Sequence, residues 1–101
     1  MIRARFLRPA EAEVDEAVAY FDERRPGLGD RFEQDLLATI NFVVEHPHSG
    51  RSLTELVRQF SLRAFRYNVI YVIEEVEIVI VAVAHHRRRP GYWHRRLTLL
   101  R

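Results

Sequence analysis

The segment His85-His86-Arg87-Arg88-Arg89-Pro90-Gly91-Tyr92-Trp93-His94-Arg95-Arg96 packs three imidazoles, five guanidinium groups and two aromatic rings into twelve residues. Guanidinium forks fit phosphates and carboxylates, Tyr and Trp stack or donate hydrogen bonds, and imidazole titrates near neutrality. The run directly follows Val76-Glu77-Ile78-Val79-Ile80-Val81-Ala82-Val83-Ala84, a stretch whose composition predicts a strand. A rigid element therefore delivers these groups to one place, as a binding or catalytic site requires. A merely solvated basic terminus would have the same composition.

Charge is distributed unevenly. Residues 1–50 hold ten acids and six arginines, a net of −4, whereas residues 51–101 hold four acids and ten arginines, a net of +6. The basic half is expected to face the partner. All sixteen cationic side chains are arginine, so no side-chain amine can act as a base or Schiff-base former. Six arginines lie between Arg87 and Arg101 with no acid among them, which suits an anionic target. Cysteine is absent, which removes disulfides and thiolate chemistry together. His46 and His48 share a loop, but no third or fourth ligand lies near them, so no metal site is expected. No cofactor motif occurs. The apolar runs are too short for a membrane span and no signal peptide is recognisable, so a cytoplasmic protein is expected.

At 101 residues, 48% of them hydrophobic, the chain is expected to form a single domain over 1–101. Ile2 to Phe6 alternates apolar with polar residues and reads as a strand. Pro9 suits a first helical turn, and Ala10, Val14, Ala17, Val18 and Phe21 form one apolar face of a helix from about Pro9 to Arg24. After the break Arg25-Pro26-Gly27-Leu28-Gly29, a second stripe of Phe32, Leu36, Ile40 and Val43, flanked by Leu37 and Val44, runs to Pro47. The two should form a helical hairpin. Leu56 to Leu62 supplies a further strand. The order is β-α-α-β-β-β: an α+β fold with a helical hairpin on one face of a small antiparallel sheet, followed by a basic carboxy-terminal tail.

If Glu74-Glu75 is a two-residue hairpin turn, Ile73 faces Val76, Tyr71 faces Ile78, Val69 faces Ile80, Tyr67 faces Ala82 and Phe65 faces Ala84. That apolar face should lie beneath the helices. The opposite face carries Arg66, Asn68, Ile70, Val72, Glu77, Val79, Val81, Val83 and His85. Its apolar centre, Ile70, Val72, Val79, Val81 and Val83, is expected to receive a partner unless the tail covers it. The same register gathers Arg66, His85 and Arg87 at one end, near Tyr92 and Trp93.

These elements, with the loop Pro47-His48-Ser49-Gly50-Arg51, the segment Phe65-Arg66-Tyr67-Asn68-Val69-Ile70-Tyr71 and the closing Ala82-Val83-Ala84-His85 and Arg89-Pro90-Gly91-Tyr92-Trp93, resemble the RelE/ParE superfamily of toxins from bacterial type II toxin–antitoxin systems. The resemblance spans essentially the whole chain. It implies a cognate antitoxin whose carboxy-terminal segment wraps the toxin, binding Ile70, Val72, Val79, Val81 and Val83, in a complex that includes a heterotetramer among its expected forms. RelE-like members are ribosome-dependent endoribonucleases acting on mRNA, and ParE-like members inhibit DNA gyrase and stabilise plasmids. The ribonucleases place an arginine where this chain has Asn68, and RelE uses lysines that this chain lacks. The resemblance therefore implies the ParE-like branch, with Arg87, Arg89, Tyr92, Trp93, Arg95 and Arg96 as target-binding residues. In the alternative, an endoribonuclease, Arg66, His85, Arg87 and Tyr92 would be catalytic. A basic nucleic-acid-binding module or an inactive toxin homologue is the third reading.

Overall fold

The computed structural model describes residues 3–100; Ile2, assigned above to the first strand, and Arg101, the last of the tail arginines, lie outside them. Strand β1 (Arg3–Phe6) leads into helix α1 (Arg8–Arg24), whose Pro9 sits in the first turn with Glu11 to complement the helix dipole. Helix α2 (Leu28–Glu45) follows at once. The tightness of that connection depends on Gly29: a Cβ there would lie 2.7 Å from the Val18 carbonyl oxygen, and its N–H donates to Asp22 Oδ1 at 2.8 Å.

Strands β2 (Arg51–Ser52), β3 (Val57–Ser61), β4 (Tyr67–Ile73) and β5 (Glu77–His85) complete a five-stranded sheet of order β1-β5-β4-β3-β2. The sheet is mixed, because β1 pairs with β5 in parallel. That corrects the wholly antiparallel expectation. Its reason is the connection: the helical hairpin and three strands separate β1 from β5, so no tight turn imposes an antiparallel direction on the pair.

The β4–β5 register is offset by two residues from the sequence expectation: Ile73 faces Ile78, not Val76, and Tyr71 faces Ile80. A two-residue type I′ turn needs positive φ at both central positions, which Glu74-Glu75 resists. The chain instead uses Glu74–Glu77, closed by Glu74 N–H donating to the Glu77 carbonyl at 2.8 Å, with no positive φ outside glycine among the described residues. An offset of two leaves each side chain on its expected face. Tyr71, Ile78 and Ile80 are accordingly buried with Val69 beneath Phe32, Leu36, Ile40 and Val43. Phe21, Phe32, Phe65 and Tyr67 close this core edge to face, with ring centroids 4.9–5.9 Å apart.

A bulge then reverses the pattern. Tyr71 pairs with Ile80 but Ile70 pairs with Ala82, so Val81 is an extra residue and everything beyond it changes side. Val83 joins the core under the helices, and Ala82 and Ala84 pass to the outer face. The assignment of Val83 and His85 to the outer face is thereby overturned.

The outer face is not open. Trp93, Tyr92, Leu97 and Leu100 of the tail, together with Leu7 and Leu53, cover Ile70, Val72, Val79 and Val81, all of which are buried. The fold has three layers: helices, sheet and tail. Ile70, Val72, Val79, Val81 and Val83 are core residues of the domain itself, so a charge at Val79 or Val81 would disrupt folding before it reported on any partner.

Candidate target-binding face

Beyond Phe6, β5 loses its neighbour. Leu7 N–H donates to the Ile80 carbonyl at 3.0 Å, and after that the β5 edge is completed by side chains. Glu13 Oε1 on α1 accepts from Val83 N–H at 2.9 Å, and Arg96 Nη1 donates to the Val81 carbonyl at 3.1 Å. The same two residues form a bidentate pair, Arg96 Nη1 to Glu13 Oε1 at 2.8 Å and Nη2 to Oε2 at 3.0 Å. Tyr92 adds its hydroxyl, donated to Glu13 Oε2 at 2.6 Å. A carboxylate and a guanidinium thus take the place of a strand.

This lock fixes the tail. Gly91, at φ 78°, turns the chain after Pro90, and His94–Leu100 forms a 3-10 helix that lays Leu97 and Leu100 on the sheet. The Tyr92 ring lies between two cations, with Arg88 3.8 Å and Arg96 5.1 Å from its centroid. Burial, and then the hydrogen bond to Glu13, push the Tyr92 phenol well above the ordinary tyrosine range. The bond to Glu13 likewise raises Arg96, outweighing desolvation.

The six residues expected to touch a target therefore separate into two groups. Arg87, Arg89 and Arg95 are exposed, while Tyr92, Trp93 and Arg96 point inward. Trp93 is only 3% exposed and plugs the outer face. The tail is therefore the cover that the sequence left open for this face, and deleting the chain after Arg89 would strip it from Ile70, Val72, Val79 and Val81.

The proposed catalytic group is divided too. Arg66 and His85 share a hollow on the helix side with Tyr20 and Tyr67, because the bulge carries His85 there. The Tyr67 phenol is raised by that burial, with Tyr20, Glu13 and Glu16 adding to it. Tyr92 is held by Glu13, and the Arg87 side chain is exposed, while the Arg87 backbone N–H donates to His85 Nδ1 at 3.0 Å.

On the outer face a cleft of about 450 Å³ remains beside the tail. Arg51, His86, Arg88, Arg89 and His94 line it, with Gln59 and Asn68 on its floor and no acid among its walls. Asn68 Oδ1 accepts from the Ser61 hydroxyl at 2.7 Å. Arg51 is brought there by the Pro47–Gly50 loop, which Tyr71 ties to the core: its hydroxyl donates to the Pro47 carbonyl at 2.7 Å and accepts from Gly50 N–H at 3.1 Å. Arg51, Arg88 and Arg89 are all exposed, so the cleft is open and basic.

Sequence reasoning missed Glu13, which lies among Glu11, Asp15 and Glu16 and resembles any solvated helix acid. Its spacing held a signal, since Ala10, Glu13 and Ala17 share one buried stripe at i, i+3 and i+7. It also missed Arg51, and gave no individual role to His86, Arg88 and His94 of the His85–Arg96 segment, all of which the topology brings to the cleft.

The chain is thus a small α+β domain with a helical hairpin on a mixed sheet and a basic cleft beside its tail. The family model "ParE toxin of type II toxin-antitoxin system, parDE" matches residues 4–90, and the chain belongs to the ParE toxin family. Its fold is similar to a solved chain from the chromosomal ParDE TA system of P. aeruginosa, with a TM-score of 0.74 and 20% identity over 84% of this chain and 96% of that chain. Among curated proteins nothing matches. The family match ends at Pro90, just before Tyr92, Trp93 and Arg96.

Proposed function

We propose that this chain is the toxin of a bacterial type II pair, that it acts in the cytoplasm by binding DNA gyrase, and that a cognate antitoxin neutralises it. Family membership supports a toxin with an antitoxin partner. The observation that carries the choice of target is the fate of the groups that RNA cleavage would need. Activating a 2′-hydroxyl, stabilising a phosphorane and protonating a leaving oxygen require aligned groups around one phosphate. Here Arg66 and His85 face the helix side, Tyr92 is bound to Glu13, and Asn68 stands in the cleft where the ribonucleases resembling this chain have an arginine. The exposed arginines Arg87, Arg89 and Arg95, with Arg51, His86, Arg88 and His94 around the cleft, offer positive charge and hydrogen-bond donors suited to adhesion to an acidic partner surface.

Purified toxin should inhibit gyrase supercoiling and leave mRNA on programmed ribosomes intact. Codon-specific mRNA cleavage with normal supercoiling would reverse the assignment, and binding to nucleic acid alone with steep salt dependence would favour the third reading.

A further inference from the structure

The bulge that takes His85 to the helix side also builds the outer cleft. It turns Ala84 and His86 outward, and the small Ala84 side chain leaves depth in the floor where a valine would stand under strict alternation. Two neighbouring rungs of the sheet form that floor: Arg51 pairs with Gln59 and Gln59 with Ile70, while Asn68 pairs with Ala84. The rungs are two residues, about 7 Å, apart along each strand. A guanidinium, two amides and an apolar patch thus share one surface. Its walls are fixed as well. Arg58 Nη1 donates to the Gly50 carbonyl at 2.8 Å, adding to the Tyr71 clasp on the loop that presents Arg51. On the tail, His94 meets Trp93 edge to face at 4.4 Å and packs so closely on Gly91 that a Cβ there would lie 3.2 Å from its ring.

The donor set selects the occupant. Arg51, Arg88 and Arg89 are exposed guanidinium forks with no acid beside them in the cleft, and His86 and His94 add imidazoles, a combination that suits a phosphate. Asn68 Oδ1 is taken by the Ser61 hydroxyl, which leaves the amide N–H groups of Asn68 to donate, and Gln59 brings a second amide. Amides beside the apolar Ile70 and Ala84 suit the edge and the face of a nucleobase. A cleft of about 450 Å³ falls within the range of small-ligand sites, roughly 300–1,000 Å³, and is sized for one nucleotide. A strand would need aromatic platforms for successive bases, whereas here the Tyr92 ring is occupied by Arg88 and Arg96, and Trp93 is buried. An acidic side chain would satisfy the arginines and leave the amides and the apolar floor unused. We infer that the cleft binds a single free nucleotide, its phosphate on Arg51, Arg88 and Arg89, its base over Ile70 and Ala84 with its edge on Asn68 and Gln59. This site goes beyond the toxin reading and does not depend on gyrase as the target.

The test titrates the full-length protein with 5′-AMP, with adenosine and with inorganic phosphate by calorimetry at low salt. AMP should bind at least tenfold more tightly than either fragment. Arg51→Ala should weaken AMP and phosphate at least tenfold and leave adenosine unchanged, whereas Asn68→Ala should weaken AMP and adenosine and leave phosphate unchanged. Thermal midpoints should not move, because neither side chain is buried. Arg31→Ala, on the exposed side of α2, should change nothing. AMP that binds no more tightly than phosphate, or that both cleft variants hold within twofold of the wild type, would overturn the site. So would an acidic peptide or a short single-stranded RNA that binds more tightly than AMP.

Discussion

The two faces of the sheet are covered by different means. Beneath the helices, large side chains interdigitate: Phe32, Leu36, Val43, Ile78 and Ile80 are at most 1% exposed, and the aromatic cluster closes one end. Across the sheet the cover is a short tail that contributes one tryptophan and a few leucines, and a polar lock at Glu13 holds it down. Apolar burial is non-directional and tolerates local change, whereas the lock depends on a few distances below about 3.2 Å and on the partnership of two partly buried charges. Both sides therefore contribute to whether the domain folds; the tail side also sets whether the residues around the cleft keep their arrangement.

Substitutions should divide the two sides, with the largest effect first. Ile80→Ala leaves a cavity beneath Leu36 and Val43 and should cost about 2–5 kcal/mol in chemical denaturation. Glu13→Ala removes the acceptor of Arg96, Tyr92 and Val83 N–H, and should cost about 1.5–3 kcal/mol, the range for hydrogen bonds to a charged group. Tyr92→Phe removes one of those donors while Arg96 still pairs with Glu13, so about 1 kcal/mol is expected. Arg5→Ala breaks only the exposed ion pair with Glu77 at 3.0 Å and should stay under about 1 kcal/mol. If Glu13→Ala proved as mild as Arg5→Ala, the tail would be held by its apolar contacts alone.

Alkaline pH sharpens the same contrast. Desolvation raises the phenols of Tyr67, Tyr71 and Tyr92 above the ordinary value of 10.0. A raised acid binds its proton more tightly in the folded state, so its contribution is complete below pH 10 and is lost as pH climbs toward the folded value. Stability should thus be flat to about pH 10 and fall above it, and less steeply in Tyr92→Phe.

The helix side was legible because stripes such as Phe32, Leu36, Ile40 and Val43 state their own period, and because a two-residue offset in register leaves each face unchanged. The tail side was less legible. Nothing in Val79-Ile80-Val81-Ala82-Val83 marks a bulge: there is no glycine or proline, and Val81 and Val83 are chemically identical. One inserted residue moved His85 away from Tyr92 and dissolved the catalytic cluster drawn from strict alternation. Glu13 and Arg96 lie 83 residues apart, so only the packed fold shows that they pair. The basic face itself was readable from charge alone, whereas which of its residues point outward was not.

On the proposed reading, exposed arginines grip the target while Tyr92, Trp93 and Arg96 only hold them in place. The most direct measurement is gyrase supercoiling inhibition by the wild type and by the triple variant Arg87→Ala, Arg89→Ala, Arg95→Ala, with thermal midpoints recorded alongside. At least a tenfold loss of potency at an unchanged midpoint is expected. Full potency in the triple variant would contradict it.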